Sequence, residues 1–224
     1  MRSLKEGFAL KNVRLFYEKT GRLRFISHLD MTRFMTRALR KAGLPVWYTE
    51  GFHPHLYITF ALPLSLGFES KYETCDIKLC DDGFDLDNAV LKLNSVCPEG
   101  IRFFAAGEPV MKPKEIGFAK YDILFEDGGS LSARLSDFLK SGEIVCEKRT
   151  KKGDIKKIDI APDIVEAEVN AESSTHLSVV LPAGNEKNIN PELLINAFFE
   201  SCNESVCYTV SRTEILNKNG ELFK

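Results

Sequence analysis

Two hydrophobic periodicities alternate along this chain, and the order of that alternation is the strongest limit on its fold. Extended segments, in which apolar residues recur at every second position, are separated by amphipathic helical segments, in which they recur every third or fourth. The order is strand, helix, strands, helix, strand, and after a proline-containing linker at residues 111–117 it begins again. This predicts an α+β protein of two tandem ferredoxin-like (βαββαβ) halves, each an antiparallel sheet with its helices on one face.

The first half is predicted over residues 1–110, and the second, with an additional hairpin, over 118–224. Helices are predicted to begin after Ser27, Asp85, Ser130 and Asn190, because each of these side chains can accept a hydrogen bond from an unpaired amide of the first turn. Gly43 is predicted to end the first helix. Extended segments are predicted at 13–18, 22–26, 46–48, 57–60, 72–79 and 101–106, and at 121–126, 143–149, 155–160, 164–169, 177–181 and 206–211.

Composition excludes several classes of protein. Hydrophobic residues make up 44% of the 224 residues, which is enough for a packed core, yet their longest runs are short and broken by charge. Neither a membrane span nor a secretory signal is predicted, so we expect a cytoplasmic protein. Six cysteines in a chain of this length predict reduced thiols rather than a disulfide framework. Because the formal charge is −2, nucleic-acid binding requires a local basic patch.

Three of the four histidines lie in two short motifs, Ser27-His28-Leu29-Asp30 and His53-Pro54-His55. An imidazole beside Asp30 and a helix N-terminus suits general acid/base chemistry or phosphate binding, so His28, Asp30 and His55 are the candidate catalytic residues. The structural alternative is that His28 completes a helix start and His53 shapes a turn. No Ser/His/Asp or Cys/His constellation can be identified from spacing.

Metal binding is a weaker interpretation of the same histidines. Three imidazoles and one carboxylate are familiar ligands, but Pro54 indicates a loop rather than a strand that would point His53 and His55 to one side. The chain also contains two C-x₄-C pairs, for which buried, ordinary thiols are favoured, and it lacks the cysteine spacing of a radical SAM cluster. No metal and no cofactor are therefore expected. The paired cysteines are Cys75 with Cys80 and Cys202 with Cys207.

Two basic segments are candidates for binding phosphates. The outer side of the first predicted helix is basic, and a second cluster lies at the tip of a predicted hairpin in the other half. The alternative for the hairpin is a solvated turn whose lysines protect an edge strand from pairing with other chains. The candidate binding residues are Arg24, Arg33, Arg37, Arg40, His53, Arg149, Lys151, Lys152, Lys156 and Lys157.

Aromatic residues surround the His53 loop and offer a third candidate surface. Trp47, Tyr48, Phe52 and Tyr57 suit base stacking of the kind that ferredoxin-like RNA binders use, although aromatic residues at strand spacing are more often core. Nucleotide hydrolysis is not supported, because neither glycine-rich phosphate-binding motif occurs.

Several motifs together resemble a known family. They are Lys19-Thr20-Gly21, the run from Leu23 to Asp30 (LRFISHLD), residues 37–45 (RALRKAGLP) and Gly51-Phe52-His53-Pro54-His55. The chain resembles the bacterial radical-SAM-associated family of unknown function, a domain often fused C-terminal to radical SAM proteins. The resemblance is strong over residues 12–80 and weaker beyond. His28, Asp30, Pro54 and His55 fit the family pattern, whereas relatives often have Asn at position 53.

The resemblance implies a partner role beside a radical SAM enzyme and supplies no established reaction. We therefore expect an accessory module without catalytic activity of its own, which binds RNA and presents it to a radical SAM protein. One alternative is a metal-independent ribonuclease or transferase that uses His28 or His55 with Asp30. The other is a protein-binding scaffold.

Overall fold

The computed structural model describes residues 10–149 and 155–224, except for the side chains of Lys148 and Arg149. These residues form four α-helices and mostly antiparallel β-structure, which confirms the α+β class. The chain divides into two compact units: one contains the described residues up to 112 together with 224, and the other contains the described residues of 113–223. No helix in the described part combines the length and the apolar content needed to cross a bilayer.

The first unit contains four strands and two α-helices. Strand β3 pairs with β1 and with β2 through the same residues, Cys75 to Ile77, so β1 and β2 must lie on opposite edges of β3. Strand β1 pairs also with β4, and every pairing is antiparallel. The elements are β1 (Lys11–Lys19), α1 (His28–Lys41), β2 (Ile58–Phe60), β3 (Glu69–Leu79), α2 (Leu86–Asn94) and β4 (Ile101–Gly107).

The core of this unit lies between the sheet and its helices. Alternate residues of β1, namely Val13, Leu15 and Tyr17, point to one side and are buried against Met35 and Leu39 of α1. Burial of each such side chain stabilises the fold by roughly 1.5–3 kcal/mol relative to exposure. The period-2 pattern of β1 therefore also decides which face of the sheet the helices cover.

Helix starts in this unit agree with the sequence. The Oγ atom of Ser27 accepts a hydrogen bond from the Asp30 amide at 3.1 Å, and the carboxylate of Asp85 accepts from the amides of Asp87 and Asn88. Both predicted caps are thus confirmed. Helix α1 ends at Lys41, just before Gly43.

Two predicted strands of the first unit are wrong. Residues Gly21–Phe25 form a 3₁₀ helix, because Gly21 turns the chain with a φ of 61° and the Ile26 amide then donates to the Leu23 carbonyl. Residues 46–48 make two isolated bridges, one to Leu79 and one to Leu56, so each touches a different partner and no continuous strand forms.

The second unit contains six strands and two α-helices. Strand β9 pairs with β5 and β8, both of which meet it at Leu177 and therefore lie on its opposite edges, while β10 pairs with β5. Strands β6 and β7 form a separate antiparallel hairpin. The elements are β5 (Ile116–Phe125), α3 (Ser132–Leu139), β6 (Val145–Arg149), β7 (Ile155–Asp159), β8 (Glu166–Ala171), β9 (Thr175–Pro182), α4 (Pro191–Cys202) and β10 (Tyr208–Asn217).

One of the two predicted helix caps in this unit is wrong. Asn190 does cap α4, since its side chain accepts from the Glu192 amide at 3.0 Å. Ser130 does not cap α3, which begins at Ser132. No side-chain hydrogen bond among the described residues caps this helix. Asp127 instead accepts the amide of Leu131, the residue before the first turn, at 2.6 Å.

Candidate functional site

His28 lies at the first turn of α1, where its imidazole is exposed. Its ring packs edge-on against Phe60, with 5.0 Å between ring centroids. The position follows from the sequence, because the Ser27 cap fixes where the helix begins and therefore where the next side chain emerges. Within residues 10–149 and 155–224, the imidazole makes no hydrogen bond, so both ring nitrogens can face a ligand.

A small pocket lies beside His28, with charged groups in its wall. Its lining includes Tyr17, Lys19, His28, Phe60 and Glu73. Its open volume is about 10 Å³, roughly the room that one water molecule needs. Lys19 is 4% exposed and Glu73 is 3% exposed. Burying a charge costs free energy unless the charge is paired or hydrogen-bonded. This pocket is therefore a polar region within the otherwise apolar core of the unit.

The ammonium of Lys19 faces the segment that leads into α1. It donates to the carbonyl oxygens of Arg24, at 3.4 Å, and Ile26, at 3.3 Å. Neither Lys19 nor Glu73 was predicted as a site residue from the sequence. A signal was available for Lys19, which continues the inward-facing alternation of Val13, Leu15 and Tyr17.

Asp30 belongs to the cap of α1. Its carboxylate accepts from the Ser27 hydroxyl at 2.8 Å and from Arg33 Nη1 at 3.1 Å. These hydrogen bonds, with that of Ser27 the larger cause, lower the pKa of Asp30 below its usual value. The carboxylate is therefore ionised at neutral pH, which suits a structural role or the orientation of a cation better than proton transfer.

The His53-Pro54-His55 loop closes on Thr49. The Thr49 hydroxyl accepts the His55 amide at 3.1 Å and lies 3.0 Å from His55 Nδ1, which is also 3.2 Å from the His53 carbonyl oxygen. Nδ1 is therefore the ring nitrogen held within the loop, while Nε2 makes no hydrogen bond to the described residues. His53 and His55 are both exposed.

The three candidate catalytic residues have separate partners. Asp30 bonds to Ser27 and Arg33, His55 bonds to Thr49, and His28 contacts Phe60. No hydrogen bond, ion pair or ring contact joins any two of the three in the described part of the chain. No group of three or more His, Cys, Asp or Glu residues there has the arrangement of a metal site.

The candidate cations of α1 form one surface, which we name the arginine face: Arg33, Arg37 and Arg40. All three are exposed, and their spacing of four and three residues places them on one side of the helix. Arg33 is paired with Asp30, whereas Arg37 and Arg40 have no ion-pair partner among the described residues. Arg24 lies apart, near Glu69 at 3.5 Å and over the exposed ring of Phe25.

The basic hairpin is present as strands β6 and β7. Lys156 and Lys157 are exposed, and Lys157 lies opposite Glu147 in the register. The base of the hairpin is fixed to α4, because buried Cys146 donates through Sγ to the Leu193 carbonyl at 3.3 Å. Lys151, Lys152 and the side chain of Arg149 lie outside the described part of the chain.

Two of the four aromatic candidates around the His53 loop are held by internal contacts, whereas Tyr48 and Phe52 are exposed. Trp47 and Tyr57 pack together with 6.0 Å between centroids, and the Lys78 ammonium lies over both rings at 5.2 and 4.7 Å. All six cysteines are described and are free thiols. Burial raises the pKa of Cys97 to about 11, so that thiol stays protonated at neutral pH.

Comparison with known proteins adds one finding to this geometry. The family model described as an uncharacterized protein conserved in bacteria (DUF2344) matches residues 12–191. The matched region contains α1 with its cap, the His53-Pro54-His55 loop and the basic hairpin. No curated protein matches the sequence.

Proposed function

The chain belongs to this family of bacterial proteins, and we propose that it is a cytoplasmic accessory module that binds RNA and presents it to a radical SAM enzyme. The observation that carries the proposal is the arginine face of α1. A guanidinium group pairs with phosphate oxygens through two parallel hydrogen bonds, which makes arginine well suited to a nucleic-acid backbone. The radical SAM partner follows from the sequence resemblance alone.

The dimensions of the arginine face suit a backbone contact. Arg40 lies seven positions after Arg33, so the three side chains extend over about 10 Å of helix. The whole chain has a formal charge of −2, which means that attraction to RNA is confined to such local surfaces. Lys156 and Lys157 on β7 supply a second basic segment.

We also propose that each unit is a ferredoxin-like domain. Support comes from the order in which strands pair: β4, β1, β3, β2 in the first unit and β10, β5, β9, β8 in the second, with β6 and β7 inserted. RNA-binding domains of this plan leave one sheet face open to bases. A shared fold is weak evidence of function by itself, so the arginine face remains the main support.

The test is RNA binding measured by fluorescence anisotropy over a series of salt concentrations. Three neutralised phosphates predict a slope of log K against log salt of about −2 on a single strand. Replacing Arg37 and Arg40 by Glu reverses two charges, and we expect at least ~10-fold weaker binding at low salt together with a shallower slope.

The matched control reverses two exposed lysines of the second unit, Lys114 and Lys140, and so makes the same change in net charge. We expect this control to bind nearly as well as the original chain. Binding that is equally tight at low and high salt, or equal loss in the two double variants, would show that the arginine face does not hold RNA.

The partner is tested separately with the purified radical SAM protein of the same bacterium, mixed with the chain after nuclease treatment and again with RNA restored. If the chain presents RNA to this enzyme, the complex between the two proteins should form more tightly when RNA is restored. A complex of equal strength without RNA indicates the protein-binding scaffold instead.

A metal-independent ribonuclease or transferase is the second candidate function. It is favoured by the exposed imidazole of His28 beside a pocket that contains Lys19 and Glu73. This function predicts that the purified chain converts RNA in the presence of a chelator and that His28→Ala abolishes the conversion. Unchanged conversion by that variant excludes His28 as the acid or base.

A further inference from the structure

Three aromatic rings form a cluster on the first unit's sheet that the site described above does not include. We name it the aromatic trio: Phe16 of β1, Tyr72 of β3 and Phe104 of β4. The ring centroids are 5.7 Å apart for Phe16 and Tyr72, 6.1 Å for Phe16 and Phe104, and 5.8 Å for Tyr72 and Phe104. Three neighbouring strands thus bring one ring each to a single place.

The trio lies on the sheet face opposite the helices. Residues 15 and 17 of β1 and residue 103 of β4 belong to the hydrophobic core with α1 and α2, and successive side chains of a strand point to opposite faces. No member of the trio takes part in that core cluster. Phe104 is 37% exposed, and Phe16 and Tyr72 are half-buried.

Two β-bulges place the rings. Between the pairs Tyr17–Glu73 and Lys19–Ser70, β3 has one residue more than β1, and Tyr72 lies in that bulge. Between the pairs Phe16–Ala105 and Tyr17–Phe103, β4 has one residue more, which is Phe104. A bulge redirects a side chain and is common beside functional sites. Two bulges on opposite edges of β1 therefore aim two rings toward Phe16.

The surroundings of the trio are polar and include cations. Arg102 of β4 forms two hydrogen bonds with Glu18, at 3.1 and 2.6 Å, and its side chain is 63% exposed. Lys71, next to Tyr72 in the bulge, is exposed. A small set of rings bordered by charged groups is unlike the broad apolar centre of a protein interface. It matches the needs of a nucleic-acid strand, whose bases present π-faces and whose backbone is anionic.

We propose that the aromatic trio is a stacking platform for the unpaired bases of single-stranded RNA. The proposal rests on the RNA-binding function proposed above and deepens it, because it assigns the substrate class: unpaired rather than duplex RNA. Bases stack on the accessible parts of this ring cluster, in which Phe104 is the most exposed member, while Lys71 and Arg102 lie where the strand's phosphates pass. Stacking of this kind tolerates any base sequence.

The experiment compares a short oligouridylate with an RNA duplex of equal length, using anisotropy at fixed low salt. Phe16→Leu and Phe104→Leu, made together, keep apolar side chains but remove two π-faces. We expect this variant to lose about 10-fold or more of its affinity for the single strand and little of its affinity for the duplex. Phe118→Leu, which changes a half-buried ring of the second unit, is the matched control and should bind like the original chain. Phe52→Leu tests the His53 loop, with its exposed ring, as the rival stacking position.

A direct readout avoids dependence on affinity alone. Oligoribonucleotides containing bromouridine are crosslinked by ultraviolet light, and the modified peptides are identified by mass spectrometry. Crosslinks at Phe16, Tyr72 or Phe104 support the platform, and thermal unfolding of each variant confirms that it is folded.

The outcomes separate the two proposals. If the original chain binds no RNA, the RNA-binding function is wrong and the platform is wrong with it. If the chain binds RNA and the arginine-face variant weakens binding, while the leucine double variant binds like the original and crosslinks lie elsewhere, the platform alone is overturned. If Phe52→Leu loses affinity for the single strand and the leucine double variant does not, bases stack on the His53 loop, and the platform is again overturned.

Discussion

Asp127 provides the sharpest test of how the second unit is held together. One carboxylate oxygen accepts the amides of Thr175, at 2.8 Å, and Gly129, at 3.1 Å; the other accepts the Thr175 hydroxyl and the Leu131 amide, both at 2.6 Å. The side chain thereby ties the turn before α3 to the first residue of β9. Asp127→Ala should remove all four hydrogen bonds at once.

The magnitude follows from these contacts. A hydrogen bond to a charged group contributes about 1.5–3 kcal/mol, but four bonds to one half-buried carboxylate are not additive, and water replaces some of them. We expect Asp127→Ala to lower the free energy of unfolding by about 2–4 kcal/mol, and Asp127→Asn, which keeps one acceptor oxygen, by about half as much.

The same contacts set a pH dependence. Desolvation raises the pKa of Asp127, but the hydrogen bonds from Thr175, Leu131 and Gly129 outweigh it and hold the pKa far below the usual 3.8. The folded state therefore binds this proton less readily than the unfolded state. The stabilisation is complete above about pH 4 and is lost as pH falls toward the lower, folded pKa. The difference between the original chain and Asp127→Asn should shrink over that acidic interval.

Urea unfolding monitored by circular dichroism, at neutral pH and at several pH values below 4, measures both effects. Asp137→Ala, an exposed aspartate on α3, is the control and should change stability by less than about 0.5 kcal/mol. The role assigned to Asp127 is wrong if Asp127→Ala is no less stable than this control, or if its loss of unfolding free energy stays constant as the pH is lowered.

Three further predictions concern single positions. Ser27→Ala removes the cap of α1 and should lower the free energy of unfolding by about 1 kcal/mol in the same urea experiment. Gly100→Ala should lower it by about 2–4 kcal/mol, because the added Cβ would lie 2.6 Å from the Thr20 carbonyl oxygen at a φ of 95°. Iodoacetamide at neutral pH should modify exposed Cys207 well before Cys97, whose pKa burial raises to about 11, as measured by peptide mass spectrometry.

Local rules predicted those parts of the fold in which neighbours along the chain decide the structure. The caps at Ser27, Asp85 and Asn190 are such cases, because the acceptor and the amide it receives lie two or three residues apart. The start of α3 escaped the same rule, because no side-chain hydrogen bond from the described residues caps this helix. Asp127 lies four residues before Leu131 and is held in place by Thr175, a contact across 48 positions that no local pattern contains.

Extended segments were predicted less well where a strand needs a continuous partner. Residues 46–48 have a suitable alternation, but they meet Leu79 and Leu56 through single bridges. Residues 22–26 alternate too, yet the positive φ of Gly21 and the Ile26 amide bond to Leu23 favour a 3₁₀ turn. In both places the pairing of distant segments, rather than side-chain alternation, decides the conformation.

The candidate site shows the same division. His28 and the arginine face of α1 follow from helix spacing, so the sequence placed them correctly on the helix and on one side of it. The aromatic trio was not predicted, because Tyr72 and Phe104 reach Phe16 through bulges, and a bulge depends on how two strands are paired. A period of two cannot reveal an extra residue in the partner strand.

The bulge between β1 and β3 links these missed features. On the helix side of the sheet it is bounded by Lys19 and Glu73, two buried charges in the wall of the His28 pocket. On the other side it carries Tyr72 of the aromatic trio. Stability alone favours a regular ladder with apolar residues at these inward positions, and departures from that rule concentrate where a protein binds or reacts. One irregular pairing therefore shapes both faces of the first unit's sheet: the wall of the His28 pocket on one and the position of Tyr72 on the other.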